Sequence, residues 1–280
     1  MQLLSLVIFN KQIEVVCHHP RVYEILKTNF KEFSIRENTH GAPVELSYQV
    51  DFDETSNLYS LAIEPKVVLK TSFLGEFLYW IEKEITLSLQ KMRTDLYFLH
   101  AAALAYKGDA FILTGPTGSG KSTMTWALLN NGCGYLSDEL APIDIRTMAV
   151  QLYPHALCLK TEPAAPYTFP ANILTTERAS HIPTMSNNIK VATQPMRLKN
   201  IFFIQYQLDL ANPNYRKLEK PEAALRLYTN TLNALAHENA GLKSATAIVT
   251  NCECYELMTA DLTASCQLVK QILEGHQSER

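Results

Sequence analysis

The chain has 280 residues, 47% of them apolar, a formal net charge of −3 and six cysteines. That is ample for a sizeable core, and so weak a charge leaves no basic footprint for nucleic acid. With no run of eighteen apolar residues no membrane span is expected, and six cysteines without a cationic, apolar leader suggest a reduced, cytoplasmic protein.

In chain order, residues 1–70 read as a small sheet-rich module. Leu3–Phe9 and Gln12–Cys17 are apolar runs around an Asn10-Lys11 hairpin turn, Arg21–Phe30 a short helix, and Tyr48–Phe52, Leu58–Ile63 and Val67–Leu69 strands. Phe73–Lys91 carries the strongest helical period, with Phe73, Phe77, Ile81 or Trp80, Ile85 and Leu89 recurring behind a Ser72 cap. The helix is expected to bury one face against the domain that follows, which sets a boundary near residue 94: a module at 1–94, a catalytic domain at 95–280.

Two strands around Lys107-Gly108-Asp109 fill residues 96–114 and lead into the stretch that organises the chain. Residues 111–123 read Phe-Ile-Leu-Thr-Gly-Pro-Thr-Gly-Ser-Gly-Lys-Ser-Thr, an apolar strand running into Gly115-x-x-x-x-Gly120-Lys121-Ser122, the full phosphate-loop pattern. Gly115, Gly118 and Gly120 permit conformations that turn successive N–H groups inward on phosphate oxygens. The helix behind, Met124–Leu129, adds the positive end of its dipole. Gly115, Pro116, Thr117, Gly118, Ser119, Gly120, Lys121, Ser122 and Thr123 are therefore the nucleotide-binding candidates. Lys121 is placed for the β and γ phosphates and Ser122 for Mg²⁺, while Thr123 also suits a helix first turn.

The helix stops at Asn130–Gly134, and Tyr135–Glu139 brings a strand ending in two acids. Ligands of open parallel sheets sit beyond the carboxyl ends of strands, which would put Asp138 and Glu139 beside the loop. One acid can hold Mg²⁺ and another accept a hydroxyl proton; Glu139 can equally cap the next turn. These residues by themselves reach phosphoryl transfer and no further.

Beyond the acid pair, Gln151–Lys160 reads as an edge or bent strand because of Pro154, and Lys160 as a surface lysine or a phosphate contact. Residues 161–188, with four prolines, read as a mobile substrate-facing flap or an ordinary surface loop. Ile189–Gln194 and Asn200–Gln207 are strands, with Arg197 an extra cation for a triphosphate. Residues 208–220 are a polar loop. Pro221 opens a helix kept apolar to about His237 by Leu225, Tyr228, Leu232 and Leu235, Leu242–Val249 is another, and after the strand Tyr255–Met258 Asp261 caps Leu262–Glu274. Cys252 and Cys254 lack a second pair at zinc-site spacing.

Three pieces, in order, resemble the catalytic domain of HPr kinase/phosphorylase and its kinase-related relatives: Leu99–Leu104 with His100, Gly115–Thr123, and Gly132–Glu139. The resemblance implies an α/β fold with a P-loop kinase core of the HPr kinase/phosphoenolpyruvate carboxykinase type behind a small N-terminal sheet-rich module. It implies ATP and Mg²⁺ as cofactors and transfer of the γ-phosphate to a serine of a protein or small peptide, and it allows a homo-oligomer. Asp138 would be the general base, Ser122 with Asp138 or Glu139 the metal ligands, and His100, which alone reads as a core histidine, would lie near the transferred phosphate. Leu152–Lys160 resembles the kinase-related relatives rather than the phosphorylase. The alternatives are a small-molecule P-loop kinase, disfavoured by the lack of an arginine-rich lid, and a nucleotide-sensing protein without turnover.

Overall fold

The structure is a computed structural model that describes residues 1–34, 43–184 and 189–275. It is a mixed α/β architecture of seventeen strands, β1–β17, and six α-helices, α1–α6, in chain order among those residues. The chain divides into two units. The first holds Met1–Arg93, Pro154–Thr161 and Pro170–Asn187; the second holds Thr94–Tyr153, Glu162–Phe169 and Asn188–Arg280. No helix among the described residues is long and apolar enough to cross a membrane.

In the first unit, β1 (Gln2–Ile8), β2 (Lys11–Cys17), β3 (Val44–Asp53), β4 (Leu58–Ile63) and β5 (Lys66–Thr71) form one sheet in sequence order. The β1–β2 turn falls on Phe9-Asn10, one residue before the expected Asn10-Lys11, and both residues have positive φ, as the tight turn of a twisted hairpin requires. Helix α1 (Pro20–Asn29) makes the crossover to the parallel neighbour β3. Helix α2 (Leu74–Met92) buries Phe77, Leu78, Ile81, Ile85 and Leu89, each worth roughly 1.5–3 kcal/mol. Its apolar face covers β4 and β5 of its own unit, with Phe77 stacked on Tyr59. Ser72 is not its cap: the Glu177 carboxylate accepts from the Gly75 and Glu76 N–H groups instead.

Glu177 comes from a three-stranded sheet, β12 (Leu157–Leu159), β14 (Ser180–Ile182) and β13 (Leu174–Thr175), that also belongs to the first unit. The expected strand Gln151–Lys160 is thus cut at Pro154, which has no N–H for a ladder, and Lys160 lies in the first unit. The stretch 161–188, expected to be a flap or a surface loop, is tied down at two places. Tyr167 is buried, its carbonyl accepting from Trp126 Nε1 at 2.9 Å and its hydroxyl from Asn131 Nδ2 at 2.8 Å, and Leu174–Thr175 pairs with Ser180–Ile182. Residues 185–188 lie outside the described ones.

The second unit is built on β15 (Met196–Tyr206), whose apolar centre Ile201–Ile204 is buried. It pairs in parallel with β8 (Asp109–Thr114) on one side and with β17 (Glu253–Thr259) on the other. Outward from β8 come β7 (Ala101–Tyr106) and β9 (Gly134–Ser137), both antiparallel to their neighbour, and β16 (Asn214–Lys217) closes the other edge against β17. Strands β6 (Leu96–Leu99), β10 (Ala141–Asp144) and β11 (Ala149–Val150) join through the start of β15. Helix α3 (Lys121–Asn130) packs with α6 (Leu262–Gly275), capped by Asp261 as its sequence implies, and α4 (Lys220–Tyr228) packs with α5 (Leu242–Thr250).

Strand β16 lies inside the expected polar loop 208–220; its four residues are all exposed, so no apolar period marks it. The helix expected from Pro221 to His237 ends at Tyr228, leaving Leu232 and Leu235 exposed. Competing bonds end it. Asn230 Nδ2 turns back to the Arg226 carbonyl, and Leu232 and Asn233 pair with Phe98 and Leu96 of β6. Ile189–Gln194 contributes a bridge at Val191 to Tyr135 rather than a strand.

Candidate functional site

Strand β8 ends at Thr114, the six residues Gly115–Gly120 turn, and α3 begins at Lys121. Gly115 has φ +151°, and a Cβ there would stand 2.6 Å from the Ile204 carbonyl of β15, so only glycine lets the loop leave the sheet at this point. Gly118 has φ +84° with open space around it. Gly115→Ala is therefore expected to lower stability by about 2 kcal/mol or more and to abolish nucleotide binding, because strain and collision add, whereas Gly118→Ala meets strain alone, of order 1 kcal/mol. Urea unfolding and a nucleotide-binding titration on both variants check this ordering.

Inside the loop the Lys121 ammonium is buried and donates to the Gly115 carbonyl at 2.8 Å and the Pro116 carbonyl at 3.2 Å. Ser119 N–H donates back to Pro116, and buried Ser119 Oγ has no hydrogen-bond partner among the described residues. Pro116, Thr117 and Gly118 are exposed at the tip, and Ser122 and Thr123 are half-buried on the first turn of α3.

The register brings two more groups to this end of the sheet. Ala101 of β7 lies opposite Thr114, which sets half-buried His100 across from Gly115. Ala103 lies opposite Ser137, so β9 runs in the same direction as β8 and delivers Asp138 and Glu139 beyond its carboxyl end. The sheet thus gathers the loop, the acid pair and His100 at one edge, as the parallel-sheet rule anticipates.

The two acids differ in environment. Asp138 is fully buried, and its carboxyl is pushed up to about 7, first by burial and then by the neighbouring Glu139 carboxylate. The Ser122 hydroxyl, the Glu139 N–H and the Lys121 charge pull the other way. Glu139 is exposed and sits at φ +62°, with the Leu140 N–H donating to the Asp138 carbonyl at 2.8 Å. That is a γ-turn of the rare positive-φ kind, a strained device that joins β9 to β10 in three residues. Glu139 therefore caps no helix.

The residues present suit a nucleoside triphosphate with magnesium: the loop carries a buried, unpartnered Ser119 hydroxyl, a clear glycine tip and a buried ammonium. No group of three or more His, Cys, Asp or Glu among the described residues is placed to hold a metal alone. Magnesium here would rely on phosphate oxygens and water, with Ser122 and one acid as protein ligands.

Arg197 does not join this edge. It pairs with Ala149 at the start of β15, six residues before Phe203, which lies opposite Thr114, so about 20 Å of strand separates it from the loop. A cation that the sequence reading overlooked is nearer. A cavity of about 210 Å³ beside Gly115 and Pro116 is lined by Gln205, Arg226, Asn230 and Glu256, and Asn230 accepts from the His100 N–H. Arg226 is held by Glu222 at 2.8 Å and Glu256 at 2.7 Å. Nothing local marks these residues; only the carboxyl end of the apolar strand Ile201–Ile204 hinted that the chain after it faces a site.

No protein-family model matches the chain, and none of the curated proteins does. Among solved structures, the HPr(Ser) kinase/phosphatase from Coxiella burnetii is similar over 65% of this chain and 91% of its own, with 15% identity and a TM-score of 0.33.

Proposed function

We propose that the chain is an ATP- and Mg²⁺-dependent phosphotransferase with an HPr-kinase-like P-loop core, moving the γ-phosphate to a serine hydroxyl of a protein or small peptide. The observation that carries the reading is the convergence of a glycine loop opening a helix, a buried Lys121 and a buried carboxyl whose proton affinity is raised to about 7. A general base works best when its pKa lies near the working pH. The preference for serine rests on the family resemblance of Leu99–Leu104, Gly115–Thr123 and Gly132–Glu139.

Bound ATP and Mg²⁺ would supply the phosphoryl group and neutralise its charge. The chain's own residues do the rest. Loop N–H groups and the start of α3 hold the phosphates, Lys121 leaves its carbonyl partners to stabilise the β and γ oxygens, and Ser122 with one acid orients the metal. Asp138 takes the proton of the attacking hydroxyl. His100 stands by the same edge to steady the transferred group.

A second reading, transfer to a small hydroxyl compound, is favoured by the 210 Å³ cavity beside Gly115, which suits a small polar molecule better than a folded protein surface. Incubation with γ-labelled ATP and Mg²⁺, offering separated protein, peptide and small-molecule fractions, tests both. Label on a serine-bearing protein or peptide is the expected result, and label in the small-molecule fraction alone selects the second reading. ATP that binds without label moving to any fraction or to free phosphate overturns both.

A further inference from the structure

At the opposite end of the same strands lies a larger cavity, of about 430 Å³, among Lys107, Asp109, Lys199, Asn200, Thr250 and Asn251. Asp109 begins β8, five residues and about 17 Å of strand before Thr114, so this cavity is separate from the loop edge. Strand β15 is bulged here: Leu198 pairs with Ala110 and Asn200 with Phe111, and Lys199 is the extra residue. Bulges re-aim side chains and recur beside sites.

The lining is amphoteric. Asn200 is only 7% exposed, and its Oδ1 is buried without a hydrogen-bond partner among the described residues. A buried acceptor left without a donor is costly, and a site that supplies the donor from a ligand recovers that cost. Lys107 is held by Glu274 at 3.1 Å and Glu253 by Lys217 at 2.7 Å. Lys199 and Asp109 are engaged in no ion pair among the described residues. A purely anionic ligand would meet Asp109 and the Asn200 oxygen; a purely cationic one would meet Lys199.

We propose that this cavity is a second small-molecule site, for a zwitterionic α-amino acid whose carboxylate meets Lys199 and whose ammonium group meets Asp109 and Asn200 Oδ1. Its volume leaves room for the side chain. The site does not depend on the phosphotransferase reading.

Calorimetric titration of the full chain with each of the common L-α-amino acids tests it, with Lys199→Gln and Asp109→Asn as variants. At least one amino acid is expected to bind saturably, and each variant to weaken it about tenfold or more, as loss of one charge-assisted contact implies. ATP affinity of the folded variants, checked by their melting temperatures, should stay at the wild-type value. No saturation below about 10 mM for any amino acid overturns the proposal. So does binding that survives both substitutions, or equal binding by N-acetylated or carboxamide forms, which lack one of the two charges.

Discussion

Asp138→Asn is expected to lower phosphoryl transfer by about 10²–10⁴-fold, the range a positioned general base contributes, while ATP affinity changes little. The same substitution should make the nucleotide- and metal-free protein more stable at high pH. The carboxyl's ordinary value is 3.8, and burial beside Glu139 raises it to about 7 in the fold. Well below pH 3.8 the acid is protonated whether the chain is folded or not, and it costs nothing. As pH climbs from 4 to 7 the unfolded chain ionises first, so stability is lost through that window and the loss is complete above 7. Asparagine removes the penalty, a gain on the order of a few kcal/mol. In EDTA at pH 8 the melting temperature of the variant should exceed that of the wild type by several degrees, and at about pH 3, below the unfolded carboxyl's value, the two should coincide. A variant that melts lower at pH 8, or retains more than about a tenth of the transfer rate, would falsify the assignment of Asp138 as a buried base.

Lys121→Met is expected to cost about 10²–10³-fold in transfer, as removal of one preorganised donor does elsewhere, and to weaken ATP binding as well. Methionine keeps the buried stem's volume but has no donor for the Gly115 and Pro116 carbonyls, so a stability loss of about 1–3 kcal/mol should accompany it. The two effects separate by measuring ATP affinity under conditions where denaturant titration shows the variant fully folded. Unchanged affinity there would remove Lys121 from phosphate binding and leave it a structural clasp of the loop. The contrast between the variants is itself informative: one loses chemistry and gains stability, the other loses binding and stability together.

The loop was legible because its information is local. Gly115, Gly118, Gly120, Lys121 and Ser122 are spaced by the geometry of one turn, and the apolar run before and the helix after confirm the frame. The position of Asp138 and Glu139 at the end of a strand was legible for a similar reason, being one helix and one short strand away. Alternation and helical period likewise located β1–β5, α2, β8, β15 and α6 to within a few residues. The limits of that information show at Tyr228, where the apolar period of Leu225, Leu232 and Leu235 continues but the helix does not. Bonds from Leu232 and Asn233 to Phe98 and Leu96 of β6, the latter 137 residues earlier, outweigh it.

By itself, then, the sequence determined the spacing of the loop glycines and the acids and the start of the helix behind them, because φ > 0 turns and helix starts are set by neighbours along the chain. Tertiary structure alone decided which distant residues share an edge. Register put His100 opposite Gly115, sent Arg197 to the far end of β15 and brought Arg226 and Asn230 to the loop. It also closed the space around Asp138, and burial, which no single residue carries in its own identity, is what lifts that carboxyl from 3.8 to about 7.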